Sequence, residues 1–131
     1  MANRILKTTG YESRIRSKLG VDAAYVPDAD INQPDVIAIA EINIIKVVSD
    51  YATLTDDDLV YLEAATVCEC AILLCPSMPA RLPVKEQGPS MTIELDVDWD
   101  AKQVKLEAER DRFLSNISSA EYVNVPHFGL C

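Results

Sequence analysis

The sequence predicts an all-α protein, a small antiparallel bundle of about four helices. Two observations support this prediction: apolar residues recur at helical spacing in four segments of the 131-residue chain, and typical helix-starting residues precede those segments. A chain of this length builds one core, and its composition, 49 % apolar and 25 % charged, is that of a globular protein. We therefore expect a helical domain over residues 1–117 and an extended C-terminal tail over residues 118–131.

The first predicted helix lies in the segment TGYESRIRSKLG. Thr9 and Glu12 have the spacing of a capping box, and Gly20 is a typical helix stop. Three apolar residues recur at helical spacing between them: Tyr11, Ile15 and Leu19. This pattern predicts a short amphipathic helix, followed by a loop that contains Pro27.

The second predicted helix has the sequence PDVIAIAEINIIKVVSDY and begins at Pro34. Its many β-branched residues favour a strand, but the segment is too long for a typical strand, and most of its apolar residues form one stripe at helical spacing. Three isoleucines fall outside that stripe, on the polar side of the helix: Ile39, Ile42 and Ile45. A single small domain would leave them exposed unless another helix or another subunit covers them.

The third predicted helix begins at Thr55, the expected N-cap of TLTDDDL, whose three aspartates suit the positive end of the helix dipole. Its predicted core stripe is Val60, Ala64, Val67, Cys68, Ala71, Leu74 and Cys75, with small side chains that would allow a close approach of the second helix. On the outer side, beside Glu63, Thr66 and Glu69, we place Leu59, Leu62 and Leu73. Pro76 and Pro79 are expected to end the helix.

A long loop and a last helix complete the predicted domain. Residues 76–98 contain four prolines and are predicted as the loop. The last helix is predicted from about Trp99 to Ile117, supported by charge pairs at helical spacing such as Lys105 with Glu109. The tail that follows is apolar, which favours a docking role, and its candidate docking residues are Tyr122, Val123, Val125, Phe128 and Leu130.

The segment DVDWDAKQVKLE, residues 96–107, has acidic residues at positions one, three, five and twelve of a calcium-binding loop. Position six of such a loop needs a positive φ and favours glycine, but here it is Ala101. The residues that follow are continuously helical in pattern. We therefore interpret the segment as a helix start, capped by Asp98 or Asp100, and predict no metal site.

No pattern in the chain indicates catalysis or a cofactor. The one histidine, His127, lies in the tail, and the four glycines form no phosphate-binding motif. The cysteines Cys68, Cys70 and Cys75 lie in an apolar segment without further ligands for a metal, so they are predicted to be small core residues. We expect a protein without enzymatic activity, metal or cofactor.

The charge distribution argues against nucleic-acid binding as the main function. The formal net charge is −9, whereas gripping phosphates requires a basic surface. Basic residues are concentrated near the N-terminus, at Arg4, Lys7, Arg14, Arg16 and Lys18. They form either a contact for an acidic partner or a solvated helix face. The N-terminus has no hydrophobic signal core and no apolar run appears long enough to span a bilayer, which predicts a cytoplasmic protein.

The order of the predicted helices resembles that of the head–tail connector proteins of tailed bacteriophages, a family of adaptor and head-completion proteins. The resemblance extends from QPDVIAIAEINIIKVVSDY through LTDDDLVYLEAATVCECAILLCP to DWDAKQVKLEAERDRFLSNI. It implies a ring, typically of twelve subunits, which binds beneath the portal protein, extends the DNA channel and receives the next neck or tail component. It also implies no enzymatic activity, assembly in the host cytoplasm and a final location in the virion neck. The proline-rich loop and the apolar tail depart from the family pattern.

The residues themselves fit a ring-forming protein. The outer isoleucines and leucines are candidates for the subunit interface: Ile39, Ile42, Ile45, Leu59, Leu62 and Leu73. The tail is the candidate strap on the portal or on an adjacent subunit, and an acidic channel wall would let DNA slide without specific binding. The alternative is a small regulatory binding module that acts as a monomer or dimer, and the oligomeric state in the presence of portal separates the two.

Overall fold

The computed structural model describes residues 3–81 and 98–117. Within these ranges the protein is all-α and contains no strand, as the sequence predicts. Residues 82–97, which include most of the predicted loop, and the tail from residue 118 lie outside the described residues. The role of the tail therefore stays a prediction, as does the course of the loop beyond Arg81.

The four predicted helices are all present, together with shorter helical elements. The order along the chain is α1 (Tyr11–Leu19), α2 (Asp28–Ile31), a π-helical turn (Pro34–Ala38), α3 (Ile39–Val47), a 3-10 turn (Tyr51–Thr53), α4 (Asp56–Leu74), a second 3-10 turn (Cys75–Ser77), α5 (Met78–Arg81) and α6 (Trp99–Ser115). The π-helical turn runs directly into α3, so the second predicted helix is continuous but changes its winding at Ile39.

Of the two predicted ends of α1, the C-terminal stop is confirmed and the N-terminal cap is wrong. Gly20 ends the helix with a left-handed φ of 77°, and its N–H donates to the Arg16 carbonyl oxygen. The predicted Thr9 capping box is wrong, because Gly10 occupies the N-cap position with a φ of 99° and no side chain caps the helix. A left-handed glycine at this position turns the chain one residue after Thr9, a conformation that glycine adopts without strain.

Two further helix starts follow the sequence prediction in part. Asp98 caps α6, since its carboxylate accepts a hydrogen bond from the Ala101 N–H at 3.1 Å. Thr55 is the N-cap residue of α4, as predicted, but its side chain makes no capping hydrogen bond. The residue after it, Asp56, has a left-handed φ of 55°.

The α-helix α4 ends at Leu74, just before Pro76, as predicted, but the chain does not leave the helical conformation there. Pro76 lies at the start of a 3-10 turn and Pro79 lies inside α5, so the chain continues helically to Arg81. Proline is tolerated in the first turn of a helical element, where its missing N–H is not needed. The stretch Asp56–Arg81 is long and apolar enough to cross a membrane, which the sequence did not lead us to expect. However, 61 % of its most apolar window is buried against the rest of the chain, as in a core helix.

The helices α4 and α6 run antiparallel and form the centre of the fold. Tyr61 near the start of α4 contacts Phe113 near the end of α6, with ring centroids 6.3 Å apart. Further along α4, Glu69 contacts Arg110 at 2.7 Å, and the turn after α4 packs against the beginning of α6. Helices α1 and α3 both pack on α4.

Because α1, α3 and α6 surround α4, its buried residues do not form one stripe. Val60, predicted in the core, is 61 % exposed, whereas Leu62, predicted on the outer side, is 1 % exposed. Thr66 and Glu69, also predicted outside, are buried. A helix packed on several sides loses the single apolar face on which the sequence prediction depended.

Candidate interaction surfaces

Two exposed isoleucines on α3 form the clearest apolar surface of the described residues. Ala40 and Ile44 point into the core, while Ile39 is 41 % exposed and Ile42 is 37 % exposed. Because residues three apart lie on the same side of a helix, Ile39 and Ile42 form one patch, called here the isoleucine face. Both residues are outside the core, as the sequence indicates, and their role in a subunit interface stays a prediction.

The other four predicted interface residues contribute less surface. Ile45, Leu59 and Leu73 are half-buried and pack against the core of the same chain. Leu62 is buried, so its assignment to a subunit interface is wrong: α4 turns this residue inward. The five tail candidates lie outside the described residues.

A groove of about 230 Å³ borders the isoleucine face. Ile42 is one of its walls, and the other residues that line it come from the N-terminal segment and from the elements before and within α3: Asn3, Arg4, Asn32, Pro34, Ile37, Ala38 and Glu41. The groove is lined by both apolar and polar residues, as are contact sites for other chains.

The Glu41 carboxylate fixes the N-terminal segment beside this groove. It accepts hydrogen bonds from three successive backbone N–H groups, those of Arg4 at 2.9 Å, Ile5 at 2.8 Å and Leu6 at 3.0 Å. Glu41 is only 4 % exposed, and Ile5 and Leu6 are buried next to it. Three amides around one carboxylate form an anion-binding nest. The sequence interpretation missed this role, because Glu41 has the spacing of a solvated acid on the polar side of its helix.

A second buried carboxylate joins three helices. Glu69 on α4 accepts hydrogen bonds from the Asn43 side-chain amide of α3 at 2.8 Å and from Arg110 of α6 at 2.7 Å. Arg110 also contacts the Asp111 carboxylate through two of its nitrogens at 3.0 Å. These four residues are called here the ionic joint.

The charges of the ionic joint stabilise one another. Burial lowers the pKa of Arg110, but the hydrogen bonds and charges of Glu69 and Asp111 outweigh that effect and raise the pKa above its ordinary value. The guanidinium therefore remains charged. With Glu69 held on both sides, the ionic joint fixes the relative positions of α3, α4 and α6.

On the other side of α4, Glu109 connects α6 to α1. Its carboxylate contacts Lys18 of α1 at 2.9 Å and accepts a hydrogen bond from the Cys68 thiol at 3.6 Å. Lys18 and Arg112 also lie 5.7 and 5.5 Å from the centre of the Phe113 ring. The predicted pair of Lys105 with Glu109 is absent, because Glu109 turns toward α1 instead.

A basic groove of about 740 Å³ opens between α1 and α6 on this same side. Its cations are Lys18, Lys102, Lys105 and Arg112, and its acids are Asp98 and Glu109. The remaining residues that line it are Ser17, Ala101, Leu106 and Ala108. Such a concentration of positive charge is unexpected in a chain with a net charge of −9.

The N-terminal basic residues largely pair within the chain. Arg14 lies 3.7 Å from Glu63, Arg16 lies 2.6 Å from Asp28 and Lys18 contacts Glu109. Arg4 and Lys7 are exposed, and neither forms an ion pair with a carboxylate of the described residues. Most of this cluster therefore holds α1 in place.

The acidic segment with the spacing of a calcium-binding loop forms the start of a helix. Residues Trp99–Ser115 are helical, so positions four to twelve of the supposed calcium loop form no loop; Asp96 lies outside the described residues. Over residues 3–81 and 98–117, no group of three or more His, Cys, Asp and Glu side chains is placed to hold a metal ion.

The three cysteines of α4 and the turn after it are buried and free. Burial, and then the nearby Glu109 charge, raises the pKa of Cys68 to about 12. Burial also raises the pKa values of Cys70 and Cys75. These thiols stay protonated at neutral pH and lack the thiolate that a nucleophile or metal ligand requires.

Comparisons of the chain with protein-family models, curated proteins and solved structures find no match.

Proposed function

We propose that this protein is a non-enzymatic structural subunit of a tailed bacteriophage, which forms a ring beneath the portal, extends the DNA channel and joins the capsid to the tail. The observation that supports the proposal most directly is the isoleucine face. Ile39 and Ile42 remain exposed although the protomer has a closed core of its own. The helix order that resembles the connector family supplies the context for that surface.

Covering the isoleucine face gives each subunit contact a hydrophobic contribution. Full burial of an isoleucine side chain is worth about 1.5 to 3 kcal/mol. Both side chains are already more than half covered by their own chain, so a neighbour adds about 1 kcal/mol for each. Since a ring repeats the same contact at every subunit, this contribution recurs around the whole assembly.

A ring also needs two different surfaces on each subunit, because each copy contacts its two neighbours differently. Two candidate surfaces that support the proposal lie on different sides of the α4–α6 pair. The isoleucine face belongs to α3, which the ionic joint holds against α4 and α6. The basic groove lies between α6 and α1, on the side of Glu109.

The net charge of −9 per subunit suits a channel through which DNA moves without specific binding. A strongly acidic ring repels the phosphate backbone and does not retain it. In this proposal the apolar tail, Tyr122 to Leu130, docks on the portal or on an adjacent subunit, and the next neck component binds the opposite end of the ring.

The test is the mass of the assembly formed by the full-length protein, alone and with purified portal, measured by native mass spectrometry and electron microscopy. We expect rings on the portal for the wild type and loss of those rings for the double variant Ile39→Asp with Ile42→Asp. The matched control is Ala29→Asp, which adds the same charge at an exposed residue of α2 that lines neither of the two grooves. We expect this control to assemble normally.

A second pair of residues tests the tail. Phe128→Ser with Leu130→Ser in the full chain is expected to weaken binding to the portal while leaving the helical fold intact by circular dichroism. If the wild-type protein remains a monomer or dimer with portal present, the connector proposal is wrong, and the regulatory binding module takes its place.

A further inference from the structure

We propose that the basic groove binds the acidic start of α4 from a second copy of this chain. The inference rests on the proposed ring and adds the identity of one of its subunit contacts. It joins the lysine-rich side of α6 in one copy to Asp56 and Asp57 in the next. The sequence interpretation did not contain this contact, since it assigned subunit contacts to the outer isoleucines and leucines and to the tail.

Two of the groove's cations are not paired within residues 3–81 and 98–117: Lys102 and Lys105 form no ion pair with a carboxylate of these residues. Glu109 is shared between two cations, Lys18 at 2.9 Å and Arg112 at 3.8 Å. The Asp98 carboxylate is used as the cap of α6. The groove therefore presents a net positive surface to whatever approaches it.

The start of α4 has the complementary charge and is accessible. Asp56 and Asp57 are exposed, and the first turn contains three aspartates. Together they more than offset the roughly half unit of positive charge at a helix N-terminus. Val60, one turn further along, is 61 % exposed and lies on the same side of the helix as both aspartates.

The apolar parts of the two surfaces also match. Ala101 and Ala108 line the groove beside Lys105, and their small side chains leave room for a valine from another chain. A contact with Val60 against these alanines and with aspartates against lysines has an apolar centre and a charged rim. This is the ordinary arrangement of a protein–protein interface.

The placement of the two surfaces allows the contact to repeat from copy to copy. They share no residue, and the start of α4 lies at the Phe113 end of α6, while the groove extends along α6 back to Asp98. One copy can therefore offer its aspartates to one neighbour and receive those of another. Such a head-to-tail contact generates a ring when its rotation closes.

A nucleic-acid backbone is the competing occupant of a basic groove. It is disfavoured because a phosphate polymer must approach a chain with a net charge of −9, whereas the acidic surface of a neighbouring subunit is already present at high local concentration in a ring. Duplex DNA is therefore included in the test as a separate probe.

A charge-reversal cycle tests the contact with full-length protein on purified portal. The groove variant is Lys102→Glu with Lys105→Glu, and the aspartate variant is Asp56→Asn with Asp57→Lys. Asparagine is chosen at residue 56 because it tolerates the left-handed φ of 55° there. The third variant combines both sets, and the control is Lys7→Glu, at an exposed lysine that lines neither of the two grooves. Circular dichroism establishes that each variant is folded.

We expect each reversal alone to weaken subunit association at least about tenfold, since it replaces attraction at the rim by repulsion. The combined variant should recover most of the loss, and wild-type assembly should weaken as salt is raised. The Lys7→Glu control should assemble like the wild type.

Three results would overturn the inference in different ways. If the groove variant forms rings as the wild type does while Ile39→Asp with Ile42→Asp does not, the groove is no subunit contact and the proposed function stands. If wild-type subunits never associate, with or without portal, the proposed function fails as well. If the groove variant loses affinity for duplex DNA and keeps its self-association, the occupant is nucleic acid.

Discussion

The two sides of the α4–α6 pair differ in how exposed their charged side chains are. Cys68 and Glu69 are neighbours in α4 and both contact α6, but their contacts extend to different third helices. Cys68 contacts Glu109, which pairs with Lys18 of α1, whereas Glu69 binds Arg110 and Asn43 of α3. On the α1 side, Lys18 and Glu109 have side chains 31 % and 27 % exposed and border an open basic groove. On the α3 side, the Glu69 side chain is 6 % exposed and lies in the closed ionic joint.

This difference indicates that the α3 side is fixed and the α1 side is adaptable. A buried charge without its partner is costly, so the ionic joint tolerates few changes. A half-exposed pair is screened by water and contributes little to stability, so its residues are free to take part in other contacts. The fixed side presents an apolar surface, the isoleucine face, and the adaptable side presents a charged one, the basic groove.

The comparison predicts the largest effect at Arg110. Arg110→Ala leaves the Glu69 carboxylate buried without its cation, and we expect a loss of about 3 to 5 kcal/mol in the free energy of unfolding. The matched control, Arg112→Ala, removes an arginine that is 67 % exposed and should cost less than about 1 kcal/mol. Urea denaturation followed by circular dichroism measures both, and equal losses would mean that the two sides do not differ.

The reactivity of the cysteines tests whether α4 is closed to reagents on both of its sides. With Cys131→Ser as background, Cys68 and Cys70 should react with iodoacetamide far more slowly in the folded than in the unfolded protein. The slowing should be large for Cys68, because burial raises its pKa to about 12 from an ordinary value of 9.0 and so leaves little thiolate at pH 8. Fast labelling of the folded protein would contradict the burial of these thiols.

The same thiols predict a fall of stability at alkaline pH. A thiol whose pKa is higher in the folded than in the unfolded protein makes its full contribution to stability at any pH below the unfolded pKa. This contribution is lost as the pH rises from the unfolded pKa to the folded pKa. For Cys68 that interval lies between about 9 and about 12. Unfolding midpoints should therefore decrease above pH 9, and Cys68→Ala should reduce the pH dependence.

Glu41 tests how firmly the α3 side holds the N-terminal segment. Glu41→Ala leaves the backbone N–H groups of Arg4, Ile5 and Leu6 without their acceptor, and we expect a loss of about 2 to 3 kcal/mol. The control is Glu63→Ala, which removes a partly exposed ion pair with Arg14 that is 3.7 Å long. Hydrogen exchange should become faster at Ile5 and Leu6 in the Glu41 variant only, and unchanged exchange there would contradict the anchoring role.

The smallest effect is expected on the α1 side. Lys18→Met removes the pair with Glu109 and should cost about 1 kcal/mol or less, since both partners are partly solvated. Lys7→Met, at an exposed lysine without an ion pair to the described residues, should cost nothing measurable. A loss at Lys18 as large as that at Arg110 would show that the α1 side is equally fixed.

Periodicity predicted where the helices lie but not how each one is rotated. The apolar runs located α1, α3, α4 and α6, because helix formation depends on local spacing. The exchange of Val60 and Leu62 between surface and core arises from contacts of α4 with three other helices, and those contacts depend on residues far away in the chain. Local spacing contains no information about them.

The buried polar contacts were hidden from the sequence for the same reason. Glu41, Glu69 and Arg110 look like solvated charges, and only the approach of a distant segment makes each one a structural residue. The exposure of Ile39 and Ile42 could be predicted, because both fall outside the apolar stripe of their own helix. The basic groove could not, since its cations come from α1 and α6, which are remote in sequence.

The most direct test of the central claim is the mass of the complex that the full-length protein forms with purified portal. The account predicts a ring of subunits on the portal for the wild type, and free subunits for Ile39→Asp with Ile42→Asp at unchanged helical content. A wild type that stays unassociated, or a double variant that forms the same rings, would contradict it.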